Sequence, residues 1–147
     1  MQALRAAQIA QSIAKDCVVT RLRKLSRSIT RLYDEALRPL GLKASQQAVL
    51  VAIGAEPDSR IGDIAERLEL APSSMTRSVT ALAEQGWVEV ESEGREARVN
   101  LTSEGKQILL ASQKLWLIAQ RQVAGELEKS GLLADLNDAV HRAKDVL

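Results

Sequence analysis

One change of period governs what this chain can become. Apolar residues recur every three or four positions along most of the sequence, the spacing that lines one face of an α-helix. Between Trp87 and Leu101 they alternate instead: Trp87-Val88-Glu89-Val90-Glu91, then Ala97-Arg98-Val99-Asn100-Leu101. Alternation sends successive side chains to opposite faces of a strand. Ser92 to Glu96 separates the two runs and contains Gly94, which can supply a positive φ in a turn. The stretch is predicted to be a hairpin. A lone hairpin is marginal in water, so it must lean on helices. Three prolines and eight glycines in 147 residues are too few for an all-β fold.

The helical segments follow in order. Val18, Leu22, Leu25, Ile29, Leu32 and Ala36 form one face of a first helix, with Arg23, Arg27 and Arg31 opposite. Pro39 and Gly41 end it. Ile9 and Ile13 suggest that it begins well before Cys17. A helix of that length exceeds what one small core covers, so part of it is expected to pack on a second chain. Ser45 is a candidate N-cap for a helix from Gln46 to Ala55. Glu56-Pro57-Asp58 reads as a turn. Ile61 to Leu68 and Pro72 to Glu84 are two further helices joined by Glu69-Leu70-Ala71, with Pro72 at a first helical position, where its missing N–H costs nothing. After the hairpin, Thr102 or Ser103 can cap a long helix from Glu104 to Leu127. Leu133, Leu136, Val140, Ala143 and Leu147 mark a last one.

Composition closes several routes. With no Phe, one Tyr and two Trp, the core must be aliphatic. A single Cys (Cys17) and a single His (His141) leave no internal disulfide and no Cys/His zinc site. There is no Gly-rich phosphate loop and no nucleophile–base pair, so neither an enzyme nor a cofactor is expected. No apolar run approaches the roughly 18 residues of a membrane span. Arg5, Gln8, Gln11, Lys15 and Asp16 interrupt the first segment too often for a signal peptide. The expected compartment is the cytoplasm.

Helix, helix, turn, helix, hairpin over 45–101 is the element order of a winged helix-turn-helix, in which the second helix of the pair enters the DNA major groove. On the wheel of Pro72 to Glu84, Met75, Val79 and Leu82 fall on one side. Ser73, Arg77, Thr80 and Glu84 fall on the other, flanked by Thr76. Hydroxyls reach phosphates or either base type, and Arg can grip guanine with two bonds. A solvated helix face is the plainer reading of the same pattern.

The sequence also resembles the MarR family of bacterial transcriptional regulators. The likeness runs through Arg31-Leu32-Tyr33, Pro39-Leu40-Gly41-Leu42, Gln47 to Leu50, Asp63 to Leu68, Ser73 to Arg77, Gly86-Trp87-Val88 and Leu101-Thr102-Ser103-Glu104-Gly105. It implies a mainly α fold with a two-stranded wing: residues 1–44 a dimerising N-terminal helix, 45–105 the winged helix-turn-helix, 106–147 dimerising C-terminal helices. It implies a homodimer on a pseudo-palindromic operator in double-stranded DNA, usually as a repressor, released by a small aromatic or anionic effector. By family position, Ser73, Ser74, Thr76 and Arg77 would meet the major groove. Arg95 would enter the minor groove with Glu93 holding it and Arg98 beside it in the wing. Ser45 and Arg60 would touch phosphates, and Arg23, Arg27 and Trp116 would serve an effector. The family's wing usually carries Asp-x-Arg. Here the acid is Glu93, and the hairpin is about three residues shorter.

Charge argues the other way. Residues 1–44 carry nine basic and three acidic side chains, whereas 45–105 carry five basic and eleven acidic. Phosphate binding rests on Lys and Arg, so an acidic reading region should bind DNA weakly unless geometry hides its acids. Pairing of some Glu with Arg67, Arg95 or Arg98 would hide them. The rival reading is a dimeric winged-helix adapter for proteins, with weak or lost DNA binding. Other residues carry alternatives too. The Arg23/Arg27/Arg31 stripe reads either as an anion site or as a solvated face. Trp116 reads as an effector-pocket wall or as a core or dimer-seam residue. Cys17 reads as a small buried hydrophobe. A redox-switch reading would need a lowered pKa and exposure.

Overall fold

The computed structural model describes residues 1–93 and 96–146. Its elements in chain order are α1 (Gln2–Asp16), α2 (Val18–Leu37), a 3-10 turn (Arg38–Leu40), α3 (Ala44–Ala55), β1 (Ser59–Arg60), α4 (Ile61–Arg67), α5 (Pro72–Glu84), β2 (Val88–Glu93), β3 (Glu96–Leu101), α6 (Ser103–Lys129) and α7 (Leu132–Val146). The fold is mainly helical with a small antiparallel sheet in the order β1-β3-β2.

The expected single N-terminal helix is two. Cys17 breaks it with ψ at 109°, capping the C-terminus of α1 and the N-terminus of α2. Periodicity cannot detect such a break, because one extended residue barely alters the spacing of apolar positions. Every residue of α1 is exposed, Ile9 and Ile13 included. Within the chain α1 has no core of its own.

The end of α2 turns through the 3-10 segment to Gly41 at φ 64°. Helix α3 then begins two residues earlier than predicted. Lys43 is the N-cap residue, and Ser45 lies exposed within the first turn. Two side chains satisfy the orphan amides there: Asp34 Oδ1 accepts from Ala44 N at 2.8 Å and Gln46 Oε1 accepts from Lys43 N at 2.9 Å. Asp34 thereby ties α2 to α3. Pro72 stands at the start of α5 as expected, after Glu69 at φ 52° has reversed the chain out of α4.

The core is aliphatic. Leu37 from α2, Leu42, Leu50 and Ile53 from the α3 region, Ile64 from α4, Met75 and Leu82 from α5 and Val99 from β3 are each buried to within 1% of full exclusion. Burying one such side chain is worth about 1.5–3 kcal/mol, so this cluster sets the orientation of α5 and the wing. Val88 pairs with Leu101 and Val90 with Val99 on the inner face of the hairpin. The third strand, β1, was not visible as a pattern. Two residues show no alternation, and only pairing with β3 (Ser59 with Val99, Arg60 with Arg98) makes them a strand.

Helix α6 starts with Thr102 as its cap, whose Oγ1 accepts from Gly105 N at 3.0 Å. It runs 27 residues back along α2. Ala119 and Val123 are its buried apolar positions, while Leu110, Trp116, Leu117 and Ile118 remain exposed.

Candidate functional site

Helix α5 buries Met75, Val79 and Leu82 and turns Ser73, Thr76, Arg77 and Thr80 outward, with Ser74 half-buried. Its hydroxyls are already used once. Thr76 Oγ1 donates to Pro72 O at 3.0 Å, Ser78 Oγ to Ser74 O at 3.0 Å and Thr80 Oγ1 to Thr76 O at 2.9 Å. Back-bonding of this kind engages the donor and leaves the lone pairs free. The exposed edge therefore offers hydroxyl acceptors, suited to the amino groups of adenine or cytosine, beside the five donors of Arg77. Arg77 makes only a long 3.5 Å contact to Ser74 Oγ.

The other described arginines of this region are engaged. Arg60 Nε lies 3.0 Å from Glu96 Oε2, Arg67 2.8 Å from Glu56 Oε1 and Arg98 3.1 Å from Asp58 Oδ2. Arg98 also donates to Asp58 O at 2.7 Å, and Asp58 N donates to Asn100 Oδ1 at 2.7 Å. Among the described residues of 45–105, Arg77 is the arginine with no acidic partner. The acids that make this region negative thus have a structural use. Three of them fasten β1 and the turn before it to the wing and to α4. Partnering of Arg67 and Arg98 follows the sequence expectation, but the acids are Glu56 and Asp58, not wing glutamates.

Of the wing residues singled out from sequence, Arg95 lies outside the described residues, and so does the side chain of Glu93. Arg98 is half-buried on the outer face of β3, opposite Glu91 and next to Arg60 in register. Arg60 caps α4 and is exposed, and Ser45 sits on the first turn of α3.

A cavity of about 780 Å³ opens between α2, α3 and α6. Ile29, Thr30 and Tyr33 line it from α2, Ala44, Gln47, Ala48 and Val51 from α3, and Leu109, Leu110, Ser112, Gln113 and Trp116 from α6. Leu68, at the end of α4, closes one side. Trp116 is thus brought to the cavity, and Arg23 and Arg27 are not. Those two flank a separate shallow pocket on α2 with Leu22 and Ser26. Sequence reasoning missed Gln47, 7% exposed, whose Nε2 donates to Ser112 Oγ at 2.9 Å. It also missed Tyr33, whose hydroxyl donates to Gln120 Oε1 and whose pKa burial pushes up. A polar residue at an inward helical position was the available signal for Gln47.

Cys17 is half-buried rather than buried. Hydrogen bonds from the Thr20 side chain and backbone hold its thiol below the ordinary value, with Val19 N–H and the charge of Arg21 adding to them.

No helix among the described residues is long and apolar enough to cross a membrane. Residues 40–98 match the model of the MarR family. No curated protein matches the sequence. The chain is similar to the M. tuberculosis transcriptional regulator MosR, at 25% identity and a TM-score of 0.71, over 88% of this chain and 98% of that one. It is also similar to a cysteine-to-serine mutant of E. coli MarR complexed with operator DNA, at 24% identity and a TM-score of 0.74, covering 89% and 96%. In fold it resembles the Streptomyces coelicolor regulator PcaV in complex with its natural ligand, at 21% identity and a TM-score of 0.75, covering 89% and 96%. The aliphatic core sets α5 beside a short wing, the MarR-family match runs through both, and the chain has the winged-helix fold of the MarR-family transcriptional regulators that it resembles.

Proposed function

We propose that the chain acts as a homodimer on a pseudo-palindromic operator and works as a ligand-released repressor. The observation that carries the reading is the edge of α5. It combines exposed hydroxyl acceptors with one uncommitted arginine, next to a wing whose other described arginines are held by acids. In this arrangement Ser73, Ser74, Thr76 and Arg77 read the major groove and Arg95, held by Glu93, reaches the minor groove. Ser45 and Arg60 touch phosphates. Arg98 positions the wing through Asp58.

Dimerisation is supported by the apolar surface that the single chain leaves in water: Ile9, Ile13, Val18, Leu22, Leu117 and Ile118. Apolar exposure spread over the terminal helices α1, α2 and α6 is what a partner chain would cover. Ligand release is supported by the cavity, whose walls include both the long helices α2 and α6 and the reading side through α3 and Leu68. A molecule filling it touches both parts and shifts their relative position by whatever its affinity differs between the two arrangements.

The paired arginines also favour a second reading, a winged-helix adapter for proteins. Selection of genomic fragments by the purified chain at near-physiological salt, followed by a salt titration, separates the two. Enrichment of an inverted repeat with half-sites about one helical turn apart, and affinity falling steeply with salt, supports the repressor. A folded dimer that enriches no sequence supports the adapter.

A further inference from the structure

We infer that the cavity between α2, α3 and α6 selects an uncharged, largely apolar molecule with one hydrogen-bond donor, and disfavours anions. The inference rests on the reading of this cavity as the effector site. Its walls carry no charged side chain; the polar groups are those of Thr30, Tyr33, Gln47, Ser112 and Gln113. An anion placed there loses water and gains no cation in return, a cost that an uncharged molecule of the same shape does not meet. Arg31, the cation nearest in sequence to the α2 wall, lines a different pocket, and Arg23 and Arg27 line another.

The polar groups also say where a donor goes. Gln47 is nine-tenths buried, and its Nε2 is spent on Ser112, whose own hydroxyl donates to Leu109 O at 2.7 Å. Among the described residues the Oε1 of Gln47 accepts no hydrogen bond, yet it is not a sealed-off atom, since no fully buried side-chain oxygen lacks a partner. It is an acceptor open to the cavity. Ser112 fixes the amide by taking Nε2, so the carbonyl end is the one presented. Trp116, a partly exposed wall residue, adds an aromatic surface suited to an aromatic or flat aliphatic body. The volume lies within the range of small-molecule sites, which are mostly apolar with a few placed polar groups.

Matched probes test this on the full-length protein by calorimetry at pH 7.5: 2-naphthol, naphthalene and 2-naphthoate, with 4-propylphenol and 4-propylbenzoate as a second shape. The phenols are expected to bind at least tenfold tighter than the carboxylates. Gln47→Met should erase the advantage of 2-naphthol over naphthalene, and Val51→Lys, which puts a cation on an exposed wall position, should raise carboxylate affinity selectively. Carboxylates binding as tightly as phenols, or no probe of either shape binding, overturns the inference. The effector reading fails separately: phenols that bind with the expected ranking but leave operator affinity unchanged show a selective cavity with no regulatory link.

Discussion

Replacing Gly105 by alanine tests the contact that seats α6 against the root of the wing. A Cβ built on Gly105 would lie 1.8 Å from the Trp87 carbonyl oxygen and 2.8 Å from its carbon. The obstacle is backbone, so no rotamer change relieves it. Restoring ordinary contact requires a separation of roughly 1.5 Å between helix and strand root, and that movement breaks what is anchored there. Thr102 N donates to Trp87 O at 3.1 Å, and Thr102 Oγ1 donates to Gly86 O at 2.6 Å while accepting from Gly105 N at 3.0 Å. Overpacking of this kind costs about 1–3 kcal/mol, and a backbone clash belongs at the upper end. Loss of the Thr102 cap adds about 1 kcal/mol. Alanine is the better helix former by about 1 kcal/mol, which offsets the cap. The net expectation is a destabilisation of about 3 kcal/mol. Urea unfolding at fixed protein concentration measures it, with Gly125→Ala as the control. Gly125 lies on the same helix with nothing within 4 Å of its would-be Cβ, so that change should be neutral or stabilising by up to about 1 kcal/mol. Equal stability of the two variants would show that the α6–wing contact is loose and that the argument from close approach is wrong.

Three further outcomes are expected. Arg77→Ala should weaken operator binding by about 1–3 kcal/mol and relax preference at one base per half-site; an unchanged base profile in a mutated-operator panel removes Arg77 from readout. Glu96→Gln frees Arg60 from its 3.0 Å partner and removes a negative charge, so DNA affinity should rise and the slope of log K against log salt should steepen by about 0.9 per protomer. A parallel line at unchanged affinity would mean that Arg60 faces no phosphate. The lowered pKa of Cys17 means more thiolate at neutral pH, so alkylation by iodoacetamide should reach half its maximal rate below the pH typical of a free thiol. Thr20→Val, which deletes the leading hydrogen bond, should move that midpoint upward; coincident profiles count against the Thr20 contact.

The sequence alone determined the elements whose signals are local. The switch from a three-four spacing to alternation located the hairpin. Pro72 fixed the start of α5, and Met75, Val79 and Leu82 identified its inner face, because helix and strand geometry impose those periods whatever surrounds them. The Leu-Thr-x-x-Gly run was legible as a resemblance, but its reason was not. Gly105 is required by the approach of Trp87, eighteen positions earlier in the chain, and not by its own backbone angles. What the tertiary structure decided are the features that depend on distant residues meeting. Ser59 and Arg60 become a strand only through pairing with β3, and Asp34 together with Gln46 displaces Ser45 from the cap. A count over 45–105 shows the excess of acids but not that Glu56, Asp58 and Glu96 hold Arg67, Arg98 and Arg60. A one-dimensional count cannot tell a free charge from a paired one. Only folding brings the partners within a few ångströms, where charges cancel locally instead of summing.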